Sequence, residues 1–97
     1  MQYRLQPLAL RRIWSFYRNV SLKYSHTYSL EDMHRNVKFA IESCYLIENT
    51  LARRKPTLQR WDGCFMAKAG KWYYAYVIDG NTIIIKDACH QQNMHND

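Results

Sequence analysis

The chain has little glycine, little proline and no long apolar run. Three glycines and two prolines in 97 residues leave no room for a flexible linker or low-complexity tract, and no internal repeat is visible. Cysteine is scarce and odd in number: Cys44, Cys64 and Cys89 are widely spaced, a poor disulfide framework that suits a reducing cytoplasm. No stretch approaches a membrane span, and the opening Met-Gln-Tyr-Arg-Leu-Gln-Pro lacks the apolar core of a signal peptide. These absences predict one cytoplasmic domain over residues 1–97, with no membrane partner. Acidic residues are also few. Eight Asp and Glu against fourteen Lys and Arg give a formal charge of +6, a field that favours polyanions or acidic proteins as partners.

What is present fits a folded protein, with 47% apolar and 23% charged residues. Gln2 to Gln6 predicts a short strand ended by Pro7. From Leu8 the pattern is helical, with Leu10, Ile13, Trp14, Tyr17 and Val20 on one face and Arg11, Arg12, Ser15 and Arg18 elsewhere. The segment from Tyr24 breaks that pattern. Ser29-Leu-Glu-Asp32 then opens a second helix with a capping box. Met33, Val37, Ala40, Ile41, Cys44, Ile47 and Leu51 continue it, Arg53, Arg54 and Lys55 complement its C-terminus, and Pro56 stops it.

Beyond Pro56 the chain reads as strands. Thr57 to Trp61 and Gly63 to Ala67 are short candidates; Trp72 to Ile78 and Asn81 to Asp87 are the clearest pair. Asp79-Gly80 between them predicts a two-residue type I′ loop, which sets Tyr76 opposite Ile83, Ala75 opposite Ile84 and Tyr74 opposite Ile85. The expected class is α+β: a helical hairpin packed on a small antiparallel sheet, in the order β-α-α-β-β-β.

The polar residues worth singling out lie at the ends of these strands. Arg53, Arg54, Lys55 and Arg60 surround the helix-to-sheet junction, and Lys68 and Lys71 flank the Ala69-Gly70 turn. Clustered cations bind phosphate and neutralise charge building on a phosphorane-like transition state, although Arg53-Arg54-Lys55 also reads as a solvated helix end. His90 follows the last expected strand and titrates near neutrality, so it can exchange a proton in phosphodiester cleavage. RNA suits such a site because its 2′-OH is an internal nucleophile. No metal or other cofactor is then required, and the Cys64, Cys89, His90 and His95 spacings match no common zinc motif. Asn93 is placed to hold a phosphate, a base edge or the histidine. Tyr74 and Tyr76 read as core, whereas Tyr73 points to the other face, near Lys86 in the expected register, where it can stack on a base. His26 and His34 fall in a loop and a helix.

The opening Leu-Gln-Pro-Leu-Ala-Leu, the helical hairpin, and the run Lys-Trp-Tyr-Tyr-Ala-Tyr-Val-Ile-Asp-Gly-Asn-Thr-Ile-Ile-Ile resemble the RelE/ParE superfamily, toxins of type II toxin–antitoxin systems. The resemblance spans nearly the whole chain and rests on degenerate motifs. It implies a RelE/ParE-like fold, a role in plasmid stabilisation and a cognate acidic antitoxin as partner. RelE-like members cut mRNA in the ribosomal A site without metal and so inhibit translation; ParE-like members inhibit DNA gyrase without catalysis. By resemblance, His90 falls in the C-terminal catalytic region, and Arg60, Lys68 and Lys71 where cations assist cleavage; Tyr73, Asn93 and Arg54 are the residues expected to hold the RNA. Two features depart from the ribonuclease pattern: no arginine stands at Trp72-Tyr73, and Gln91-Gln92-Asn93 replaces a basic or aromatic tail.

Overall fold

The computed structural model describes residues 1–50 and 54–94, with the backbone alone at 49 and 50. Leu51, Arg53 and His95, named above, lie outside the described residues. The elements run β1 (Gln2–Leu5), α1 (Pro7–Lys23), α2 (Leu30–Ser43), α3 (Ile47–Thr50), β2 (Phe65–Ala69), β3 (Trp72–Asp79) and β4 (Thr82–His90). The α+β class and the order β-α-α-β-β-β are as expected. The sheet, however, is mixed. Its strand order is β1-β4-β3-β2, and β1 pairs with β4 in parallel while the other pairs are antiparallel. Parallel neighbours need a long crossover, and the helices together with β2 and β3 supply it.

Pro7 starts α1 at the position where its missing N–H costs nothing. Its buried face carries Ala9 and Ile13, with Phe16 and Tyr17 packed alongside. That face is rotated from the expected one: Trp14 is 40% exposed and meets His34 of α2 edge-on. The small Ala9 lets the helix approach the sheet, which periodicity of large apolar residues does not register. The Ser29–Asp32 capping box is complete, with reciprocal bonds of 3.1 and 3.0 Å. Val37, Ala40, Cys44 and Ile47 continue the buried stripe, but the helix is interrupted by a 3₁₀ turn at Cys44–Leu46 rather than running on as one piece. Thr57 to Trp61 is not a strand: Gln59–Trp61 forms a 3₁₀ turn, and the next strand begins at Phe65.

Ala67, Ala69, Trp72, Tyr74, Tyr76, Ile83 and Ile85 face the helices and form the main core with them. The opposite face is covered by Leu58 and Trp61, packed on Met66, Ala75 and Cys89. The β3–β4 loop is Gly80-Asn81, one residue later than expected: Asp79 pairs with Thr82 and Tyr76 with Ile85. Gly80 supplies the positive φ (+59°) at the first loop position. Moving the loop by one residue moves each partner by two, so Tyr76 keeps the same face.

A bulge at Ala75/Tyr76 then leaves Lys86 without a partner, and Tyr74 pairs with Ala88. The alternation of β4 is thereby reversed. Ile83 and Ile85 face the helices, and after the bulge so do Ala88 and His90, while Asp87 and Cys89 take the other side.

Candidate functional site

His90 ends β4 opposite Trp72 and is 5% exposed. Phe16 of α1 stacks on its ring, centroids 4.0 Å apart and 9° from parallel, and Trp72 meets it edge-on at 5.3 Å. The backbone N–H of Gln92 donates to Nδ1 at 3.2 Å, which leaves the proton of the neutral ring on Nε2. Burial first, and the positive charge of Lys71 second, hold its pKa below the ordinary 6.5. His90 is thus mostly neutral near pH 7.

A groove of about 670 Å³ opens beside it between the helical hairpin and the end of the sheet. Lys23, Lys71, Trp72, His90 and Asn93 are among its walls. Lys71 sits in the two-residue β2–β3 loop after Gly70 (φ +63°), and its carbonyl accepts from Gln91 N–H at 2.9 Å. This ties the loop to the segment that carries Asn93. Deeper in, the indole N–H of Trp72 donates to Tyr17 Oη at 3.1 Å, and burial pushes the Tyr17 hydroxyl's pKa up. The groove therefore offers cations, amides and a neutral imidazole, with no carboxylate among the described residues of its lining. Such a surface can bind phosphate and handle a proton.

The residues singled out from sequence are divided among several places. Lys71, His90 and Asn93 come together in the groove. Arg60 also approaches His90, from a second cleft that shares Asn93, but its guanidinium is already directed at Asp87, Nε to Oδ2 3.7 Å. Lys68 and Tyr73 pair across β2 and β3 on the opposite face, the ammonium 5.6 Å from the ring centroid. Tyr73 lies opposite Cys89 rather than near Lys86, because of the moved loop and the bulge. Arg54 bridges to Met66 beyond the outer edge of β2, three strand spacings (about 14 Å) from β4. The sheet separates these three from His90.

No protein-family profile matches the chain, and no curated protein does either. A solved structure that is similar is the toxin–antitoxin complex RelBE2 from Mycobacterium tuberculosis. It is 23% identical over 92% of this chain and 95% of that one, with a TM-score of 0.49.

Sequence reasoning missed Phe16, Arg12, Asp87 and Lys23. Phe16 is three residues from Ile13 on the buried face of α1, a spacing that helical periodicity contains. Asp87 was hidden by the bulge, whose one trace is the consecutive polar pair Lys86-Asp87 in an otherwise apolar strand. Among the described residues there is no group of three or more His, Cys, Asp or Glu able to hold a metal. None of the described helices is long and apolar enough to cross a membrane.

Proposed function

We propose that this chain is the toxin of a type II toxin–antitoxin pair and that it cleaves mRNA on the ribosome without a metal ion. The observation that carries this reading is His90: a histidine kept neutral by burial, in the wall of a groove whose charged side chains, among the described residues, are cations. The sequence resemblance of the β3–β4 hairpin and the +6 charge support the same reading, as does the openness of the groove between hairpin and sheet. The neutral ring is the state that takes the 2′-hydroxyl proton as the 2′-oxygen attacks phosphorus. Gln92 N–H occupies Nδ1, so uptake there opens that bond, and uptake at Nε2 first moves the ring proton to Nδ1. Either way the 3.2 Å Gln92 contact gives way. The proton can then pass to the departing 5′-oxygen, leaving a 2′,3′-cyclic phosphate. Lys71 offsets negative charge on the non-bridging oxygens, and Asn93 orients the strand. Lys68, Arg60, Tyr73 and Arg54 serve binding to the ribosome or flanking RNA rather than proton transfer. An acidic antitoxin held by the basic surface would neutralise the protein in the cytoplasm.

Brief induction in a bacterial host, followed by primer extension, tests this directly. Cut transcripts with wild type and none with folded His90→Ala are expected, and cleavage on programmed ribosomes should be unchanged when the purified protein is first treated with a chelator and then freed of it. Full toxicity of folded His90→Ala, with supercoiling blocked and transcripts intact, would favour a ParE-like inhibitor of DNA gyrase instead.

A further inference from the structure

His90 is a partition between two clefts. Behind it lies a second, smaller one of about 290 Å³, lined by Arg12, Arg60, Cys89 and Asn93 as well as His90. Arg12 arrives from α1 and Arg60 from the 3₁₀ turn at Gln59–Trp61, and both are directed at Asp87. The bulge in β4 turns Asp87 to this side. Its carboxylate is then fixed, accepting from the Trp61 indole N–H at 2.9 Å and from Ala88 N–H at 2.8 Å.

One buried carboxylate between two guanidinium groups leaves one positive charge in excess. Each approaches Asp87 through Nε, at 3.4 Å for Arg12 and 3.7 Å for Arg60, and Arg60 also lies against the Cys89 thiol, which lines the same cleft. The arginine side chains keep 48% and 35% exposure, against 7% for Asp87. Cations anchored on the inner side and open on the outer side are what bidentate recognition of phosphate requires.

We propose that the Arg12–Arg60 cleft binds a backbone phosphate of single-stranded RNA, the neighbour of the phosphate held at His90 and Lys71. The strand would pass over His90 with one phosphate on each side, and Asn93, which lines both clefts, would lie under the nucleotide between them. Arg12 and Arg60 are positioning residues here, and Asp87 sets their geometry. The identity of the strand rests on the nuclease reading, but the phosphate site does not need catalysis.

The probe is a short 2′-O-methylated RNA, which cannot be cleaved through its 2′-oxygen. Arg12→Gln should weaken its binding about tenfold, and lower the slope of log K against log salt by about 0.7. Lys38→Gln, which removes a charge that lines neither cleft, should do neither. Because Arg60→Gln disturbs the packing on Trp61, a second measurement uses the wild-type chain. In an ¹H–¹⁵N spectrum the Trp61 indole signal should move on titration with the RNA, as should that of Trp72 in the larger groove, while Trp14 stays still. A stationary Trp61 signal at saturation, or equal affinities for Arg12→Gln and Lys38→Gln, overturns the proposal. The outcome is separable from that for His90: loss of Trp61 movement with cleavage intact sinks the phosphate cleft alone. Full toxicity of His90→Ala with Trp61 still responding sinks the nuclease reading alone.

Discussion

Phe16 and His90 are stacked face to face across the junction of α1 and β4, 4.0 Å apart. The contact couples the helical hairpin to an imidazole in the groove wall, so the ionisation of His90 reads out the packing. Its pKa, followed by NMR, should lie below 6.5. Phe16→Ala should raise it, since burial is the larger cause, and Lys71→Gln should raise it by less. A midpoint in Phe16→Ala no higher than in wild type would remove burial as the cause.

The same depressed pKa makes a statement about stability. The unfolded chain binds a proton at His90 more readily than the folded one does. This contribution to stability is therefore complete above pH 6.5 and is lost as the pH falls from there through the folded value. Urea midpoints between pH 8 and pH 5 should decline on the acid side, and His90→Gln should flatten part of that decline.

Asp87 should be the most costly polar residue to remove. Asp87→Ala strands the buried indole N–H of Trp61 and leaves two arginines facing each other. A loss of about 2–3 kcal/mol is expected in urea unfolding. Asp87→Asn should lose less, because an amide oxygen can still accept from Trp61. Arg12→Gln should cost less than about 1 kcal/mol, since half-exposed ion pairs are screened. If Arg12→Gln proves as damaging as Asp87→Ala, the ion pair rather than the indole bond holds the site.

The fold was legible wherever a local rule governs it: Pro7 and the Ser29–Asp32 box start the helices, and the Tyr74, Tyr76, Ile83 and Ile85 alternation marks the core face. The site was legible only in part. His90, Lys71 and Asn93 meet because two-residue loops and strand pairing carry neighbouring strand ends to one place. Lys68 and Tyr73 do not join them, since period-two alternation puts them on the far face. Arg12, Phe16 and Asp87 depend on how α1 crosses the sheet and on one bulged residue. Those are tertiary facts with little local signature.

Tyr74 should titrate only at very alkaline pH. Its hydroxyl is buried, donates to the Ala40 carbonyl at 2.6 Å and meets Ser43 Oγ at 2.9 Å. Burial above all raises its pKa beyond 10. Stability from this group is thus present below pH 10 and lost as the pH rises above it. Tyr74→Phe should cost about 1 kcal/mol at neutral pH by removing one of the donors to the Ala40 carbonyl, which keeps that of Ser43 Oγ at 2.7 Å. Alkaline difference spectra should show one fewer late-titrating tyrosine in that variant. The same late component in both proteins would place the protected hydroxyl elsewhere.

Gly80 tests whether the β3–β4 register is what presents His90. Nothing lies within 4 Å of a Cβ built there, so Gly80→Ala meets no clash and its cost is the left-handed backbone alone. At φ +59° that is about 1–2 kcal/mol. If the loop holds, the pKa of His90 and its ring-current shifts from Phe16 should remain those of wild type despite the lower stability. If the strand relieves the strain by slipping one residue, every side chain of β4 changes face. His90 would then leave Phe16, and its pKa would return towards 6.5. The cleavage proposed for His90 would be lost with it, even though the substitution sits at the far end of the strand from the groove. The two results are distinguished by one histidine titration, which makes this the most economical check on the link between register and site.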